Sequence, residues 1–117
     1  MSEGVRTVIF PVAHPHLGST RDLFRALLRV EPYIDEEYYV GFRTGGQEIG
    51  LDPNGHSKGM TGPVDYWHVE DVEESVATLT DAGAELFQEV QDVGEGKRIA
   101  AVQDADGNVI GLLQEAA

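Results

Sequence analysis

Apolar and polar positions fall along this chain in one pattern laid down twice. Thr7–Val12 (TVIFPV) is short, β-branched and aromatic, which is the composition of a buried strand, and Pro11 puts that strand at an edge or near its end. Ser19–Val30 (STRDLFRALLRV) changes to a helical period. Leu23, Leu27 and Val30 form one stripe with Phe24 and Leu28 beside it, Ser19 or Thr20 supplies the cap, and Pro32 lies past the end. Tyr38–Phe42 and Gln47–Leu51 read as strands around a turn at Gly45–Gly46. The stretch 52–63 (DPNGHSKGMTGP) is dense in Gly, Pro and Asn and reads as a linker. Then the order restarts. Val64–Val69 alternates as a strand, and Asp71 caps a helix, with Glu74 completing a capping box. Val72, Val76 and Leu79 form its buried stripe, and Gly83 stops it. Leu86–Val90 is a further strand, and Arg98–Gln103 and Asn108–Leu113 make a hairpin around DADGN.

The two halves also share local sequence. Gly46-Gln-Glu-Ile-Gly-Leu51 and Gly107-Asn-Val-Ile-Gly-Leu112 agree at four of six positions, and each closes its half after a turn. The shared structural order favours an internal duplication over convergent turn chemistry. The expected fold is α+β, one domain over residues 1–117, with module one at 1–60 and module two at 61–117.

Composition removes several classes of function. A chain of 117 residues suits a single core. The absence of cysteine excludes a disulfide scaffold, a thiolate nucleophile and Cys-ligated metal. A net charge of −13 argues against a nucleic-acid partner. No run approaches the roughly 20 apolar residues of a membrane span, and MSEGVRTVIF lacks the apolar core of a signal peptide. A soluble, cytoplasmic protein with no membrane partner is expected. The charge is uneven: residues 1–60 hold 8 acids and 6 bases (−2), and residues 61–117 hold 13 acids and 2 bases (−11). Glu70-Asp71 and Glu73-Glu74 are expected to form a solvated helix start favoured by the helix dipole.

Trp67-His-Val-Glu-Asp71, the amphipathic helix after it, Ala82-Gly-Ala84 and Asp104-Ala-Asp-Gly-Asn-Val-Ile-Gly-Leu112 together resemble the vicinal oxygen chelate superfamily of glyoxalases, bleomycin-resistance proteins and ring-cleaving dioxygenases. The resemblance covers nearly the whole chain. It implies two βαβββ modules whose sheets curl into a cup, with the helices outside. It also implies metal ligands, in metal-dependent members, near the start of each module's first strand and in its last strand. Carried over by counting from the motifs, those positions are Thr7, Gly50, Val64 and Gly111. A divalent ion needs imidazole or carboxylate donors, which this set lacks. A one-residue shift toward Asp65 or His68 does not restore four ligands. The expectation is therefore the fold without a metal site or other cofactor. For the two strand glycines two readings stand: they enlarge the cup floor for a ligand, or they ease the curvature of the sheet.

Strand parity then selects the cup lining. Val64, Tyr66 and His68 share one face of their strand, and Ile9, Tyr39 (rather than Tyr38), Ile99, Ala101, Val109 and Leu113 join them by the same alternation. His68 reads either as a ligand-contacting base or as a rim histidine. Glu48, two residues before Gly50, reads as a general base, as the anchor of a cationic ligand, or as a group at the wet mouth. His14, His16 and His56 read as exposed loop residues. DADGN lacks the closing Glu of a calcium loop, and Gln91 stands where a phosphate loop needs its first Gly. The resemblance to the drug-binding branch implies a homodimer that sequesters a hydrophobic or aromatic natural product without metal, as in antibiotic self-resistance. The alternative is a vicinal-oxygen-chelate-type lyase, isomerase or dioxygenase with displaced or absent ligands, or an enzyme using Glu48 or His68 as base. A third option is a subunit without a pocket.

Overall fold

The structure, a computed structural model, describes residues 2–116. Its elements run β1 (Ser2–Pro11), α1 (Leu17–Leu28), β2 (Ile34–Glu36), β3 (Tyr39–Thr44), β4 (Gln47–Asp52), β5 (Val64–Val69), α2 (Val72–Asp81), β6 (Glu85–Gly94), β7 (Lys97–Gln103) and β8 (Val109–Gln114). The order βαβββ therefore occurs twice, in an α+β chain with strands of mixed direction. Two compact units result. One runs from Thr7 to Val64, and the other joins the residues up to Arg6 to those from Asp65 onward.

In the first unit β4 lies between β3, antiparallel, and β1, parallel, with β2 outside β3. Its core is the layer between α1 and the sheet. Val12, Val40, Phe42 and Leu51 are buried there, and Phe10, Leu17, Phe24, Leu28 and Ile49 pack against them. The expected helix stripe is corrected here. Leu23 and Leu27 are 69% and 73% exposed, and the line facing the core is Leu17, Phe24 and Leu28, each partly buried; of the expected stripe, only Val30, beyond the helix end, packs on that core. Phe24 decides the rotation: its ring sits 5.1 Å from that of Phe10 and 6.2 Å from that of Phe42, a larger apolar contact than a leucine offers. The helix also starts earlier than expected. Ser19 and Thr20 lie inside it, no side chain caps it, and Ser19 Oγ instead donates to the His16 carbonyl.

Pro11 closes β1, as its missing N–H requires, and the strand extends N-terminally beyond Thr7. The expected linker is packed rather than loose. Asp52 and Met60 are buried, the Asp52 carboxylate accepts from Asn54 N and Lys58 Nζ, both at 2.8 Å, and residues 56–58 form one 3-10 turn.

In the second unit β8 lies between β5, parallel, and β7, antiparallel, with β6 outside β7. The expected α2 stripe holds: Val72 is buried, and Val76 and Leu79 pack on Val69, Ala100 and Leu112. Asp71 caps the helix by accepting from Glu74 N at 3.0 Å, and Gly83 (φ +112°) takes the left-handed conformation after its end. In the β7–β8 turn the Asp104 carboxylate accepts from Asp106 N, Asn108 N and Asn108 Nδ2, each at 2.9 Å, and the Asn108 bonds hold it below the usual carboxylate range. Among the described residues, no helix is long and apolar enough to cross a membrane.

Candidate functional site

Each unit presents a second sheet face, opposite its helix, and the residues that strand parity selected as cup lining lie on these faces. In the first unit the register pairs Thr7 with Glu48, Ile9 and Gly41 with Gly50, and Arg43 with Glu48. Tyr39 joins this face by alternation and is half-buried, whereas Tyr38 is 67% exposed. The two paired glycines explain how the tyrosines fit. A Cβ on Gly50 would run into the Tyr39 hydroxyl and lie 2.6 Å from Ile9 Cδ1; one on Gly41 would lie 2.9 Å from both the Tyr33 and the Tyr39 rings. Glycine here makes room for aromatic rings laid on the backbone. It does not enlarge a void.

The rings converge on one carboxylate. Tyr39 Oη donates to Glu48 Oε2 at 2.7 Å, and Arg43 Nε lies 3.7 Å from Glu48 Oε1. The Arg43 guanidinium also sits 3.9 Å from the centre of the Tyr33 ring, within cation–π range. The Glu48 side chain is 19% exposed, so it is neither dry nor at an open mouth. Burial first, and the hydrogen bond to the Glu48 carboxylate second, push the Tyr39 phenol well above its ordinary range. The same two causes push Tyr33 to about 12, with Arg43 opposing. Both phenols are therefore hydrogen-bond donors at neutral pH.

In the second unit the register pairs Tyr66 and Ala101 with Gly111, His68 and Ile99 with Leu113, and Gln103 with Val109. Tyr66, His68, Ala101 and Leu113 are buried, and Ile99 and Val109 are partly so. Val64, the buried first residue of β5 and the last residue of the first unit, shares the parity of Tyr66 and His68. Again a tyrosine covers the duplicated glycine: a Cβ on Gly111 would lie 2.7 Å from Tyr66 Cδ1 and 2.9 Å from the Asp65 carbonyl oxygen. His68 Nδ1 is 3.8 Å from Glu115 Oε1, an ion pair only when the imidazole is protonated. His14, His16 and His56 lie exposed in turns.

Sequence reasoning missed three participants. Gly41 and Arg43 share the parity of Tyr39 and were legible by the alternation that selected it. Tyr33 precedes β2 and carries no such signal; its placement follows from a backbone bond to the Gly41 carbonyl at 2.9 Å.

The positions that the resemblance assigns to metal ligands hold a hydroxyl at Thr7, an isopropyl group at Val64 and no side chain at Gly50 or Gly111, and tyrosine rings occupy the space above both glycines. These residues do not fit a divalent cation. Among the described residues, no group of three or more His, Asp or Glu side chains is placed to hold one.

No protein-family model matches the chain, and no curated protein matches it in sequence. Solved structures do match in shape. A chain described as NAD-dependent benzaldehyde dehydrogenase from Legionella pneumophila superposes with a TM-score of 0.72 at 18% identity, covering 93% of this chain and 97% of its own. A glyoxalase/bleomycin resistance protein/dioxygenase superfamily member from Vibrio splendidus 12B01 gives 0.70 at 16%, covering 97% and 98%. Methylmalonyl-CoA epimerase from Mycobacterium tuberculosis gives 0.70 at 19%, covering 99% and 90%. The chain has the glyoxalase/bleomycin resistance/dioxygenase fold from end to end. At such identities the likeness is one of fold, and no branch of the superfamily is singled out.

Proposed function

We propose that this protein binds an aromatic or hydrophobic small-molecule natural product without a metal, and sequesters it rather than transforming it. The observation that carries the reading is the pair of tyrosine rings, Tyr39 and Tyr66, laid over the glycines where metal ligation would need donors. A ring backed by a strand is a rigid stacking surface that loses little entropy on binding. In this reading Thr7, Ile9, Val64, Ile99, Ala101, Val109 and Leu113 supply apolar contact, and Glu48 and His68 set the ligand's orientation. The protein acts as a cytoplasmic homodimer.

The experiment is calorimetric titration of chelator-treated protein with planar polycyclic and glycopeptide antibiotics. Saturable binding is expected, weakened about tenfold or more by Tyr39→Ala or by Tyr66→Ala according to which face holds the ligand, the order of one lost stacking contact. Stoichiometric divalent metal in protein purified without chelator, lost together with an activity, would overturn the reading in favour of an enzyme. The half-buried Glu48 is the observation that favours a second reading, an enzyme with this carboxylate as general base. The Tyr39 hydrogen bond occupies Glu48 Oε2, so in that reading Oε1 is the oxygen that takes the substrate proton.

A further inference from the structure

The helix side of the second unit carries an open groove that the cup faces do not use. It lies between α2 and strands β5 and β8 and holds about 530 Å³, a volume in the range of small-molecule sites. Trp67 and Val69 alternate with Tyr66 and His68 along β5, so the groove is on the opposite sheet face from those two residues.

Its floor is apolar. Trp67, Ile110 and Leu112 form it together with Val69. Val69 and Leu112 are buried under α2, but Trp67 on the same face stays 40% exposed. The indole and the partly buried Ile110 beside the groove are contiguous apolar surface that the unit leaves uncovered.

Its rim is acidic. Glu70, Asp71 and Glu74 line it, and among the described residues no Lys or Arg does. Asp71 is engaged as the α2 cap, accepting from Glu74 N at 3.0 Å, and the neighbouring Glu73 is matched by Arg98 at 2.9 Å. Glu70 and Glu74 are exposed, and no Lys or Arg pairs with them among the described residues. The start of α2 opposes them with a partial charge of about +0.5, less than two full carboxylates carry, so the rim stays negative. Carboxylates beside an apolar wall focus their field into the groove.

Floor and rim together select one kind of occupant. An inorganic cation leaves the indole uncovered, a neutral aromatic leaves the carboxylates without a counter-charge, and an anion is repelled. We propose that the groove beside α2 is a second ligand site, one for a lipophilic organic cation. The apolar body covers Trp67, Ile110 and Leu112, and the onium charge meets Glu70 and Glu74. A cation near the indole face gains a further cation–π attraction. This site is separate from the cup face of the reading above and stands or falls without it.

The probe is tetraphenylphosphonium, whose charge is the same at every pH; tetraphenylborate has a body of the same shape and the opposite charge. Binding is followed by equilibrium dialysis and by quenching of Trp67, the chain's single tryptophan. The cation is expected to bind saturably and to quench Trp67, and tetraphenylborate to do neither. Tetramethylammonium, a charge without the apolar body, competes at least about a hundredfold more weakly. Glu70→Gln/Glu74→Gln weakens binding of the cation about tenfold, and circular dichroism melts verify that the variant folds. Glu85→Gln/Glu89→Gln removes the same charge from exposed positions on β6, outside the groove, and leaves binding unchanged. Absence of quenching, equal binding of tetraphenylborate, equal competition by tetramethylammonium, or equal weakening by the two double variants would overturn the proposal. So would binding lost in Tyr39→Ala or Tyr66→Ala but kept in Glu70→Gln/Glu74→Gln, which puts the cation on a cup face. A Trp67 signal that answers to a basic amphipathic peptide and not to tetraphenylphosphonium overturns it too, and gives the groove to a partner helix.

Discussion

Gly50 and Gly111 occupy the same place in two copies of one hexapeptide, and each lies under a tyrosine ring, yet the rings come from different strands. Tyr39 reaches Gly50 from β3, across an antiparallel pair, whereas Tyr66 reaches Gly111 from β5, its parallel partner; the residue matching Tyr66 in the first unit is Ile9. The vacancy is thus a property of the repeated backbone pattern, and the filling is particular to each unit. The neighbouring position diverges more sharply. Two residues before the glycine stands Glu48 in one copy and Val109 in the other. One face gains a carboxylate bound by a phenol, and the other stays apolar around a buried histidine.

Adding a methyl group to each glycine tests the comparison most severely. On Gly111 the new Cβ meets the Asp65 backbone oxygen as well as the Tyr66 ring; on Gly50 it meets the Tyr39 hydroxyl and the tip of Ile9, both ends of side chains that can swing away. Gly111→Ala is expected to cost about 2–3 kcal/mol and Gly50→Ala about 1 kcal/mol, read from urea midpoints. Equal losses would mean that the two fillings are equally rigid. The helix starts give a smaller contrast. Asp71→Ala removes the α2 cap bond and is expected to cost about 1 kcal/mol. His16→Ala, at the uncapped start of α1, is expected to leave the urea midpoint nearly unchanged. The smallest effect is one of pH and belongs to the first unit. The folded-state phenols of Tyr33 and Tyr39 are raised above the ordinary value of 10.0, Tyr33 to about 12. Between those values the unfolded chain loses protons that the folded chain keeps, so the stability these groups carry is complete below about pH 10 and is lost as pH rises toward 12. Tyr39→Phe should flatten that fall in a series of urea melts across the window; an unchanged slope would remove Tyr39 as its source.

What the sequence disclosed was mainly local. The bounds of β5, the Asp71 cap and the Gly83 stop are all written within a few residues, and each stands where it was expected. The α1 face was misread because Leu23, Phe24, Leu27 and Leu28 give two overlapping stripes. Periodicity alone does not say which of them meets the sheet; that depends on the Phe10 and Phe42 rings, distant in sequence. The strand β2, three residues long, was too short to carry a pattern. For the site, parity was enough to choose Tyr39 over Tyr38 and to place Glu48 on its face. It was not enough to foresee that rings would lie on Gly41, Gly50 and Gly111, because alternation gives a side chain's direction and not how far it folds back over its neighbours.

The Tyr39–Glu48 bond has a consequence for selectivity. At Glu48 Oε2 a visitor meets an internal donor already seated at 2.7 Å and must displace it, whereas Oε1 keeps its acceptor capacity. A neutral hydroxyl trades like for like and gains close to nothing. An ammonium or guanidinium group brings a charge-assisted bond that outcompetes the phenol. In the binding reading proposed above, the resident tyrosine would set a threshold at Oε2 that a cationic group crosses more readily than a neutral one.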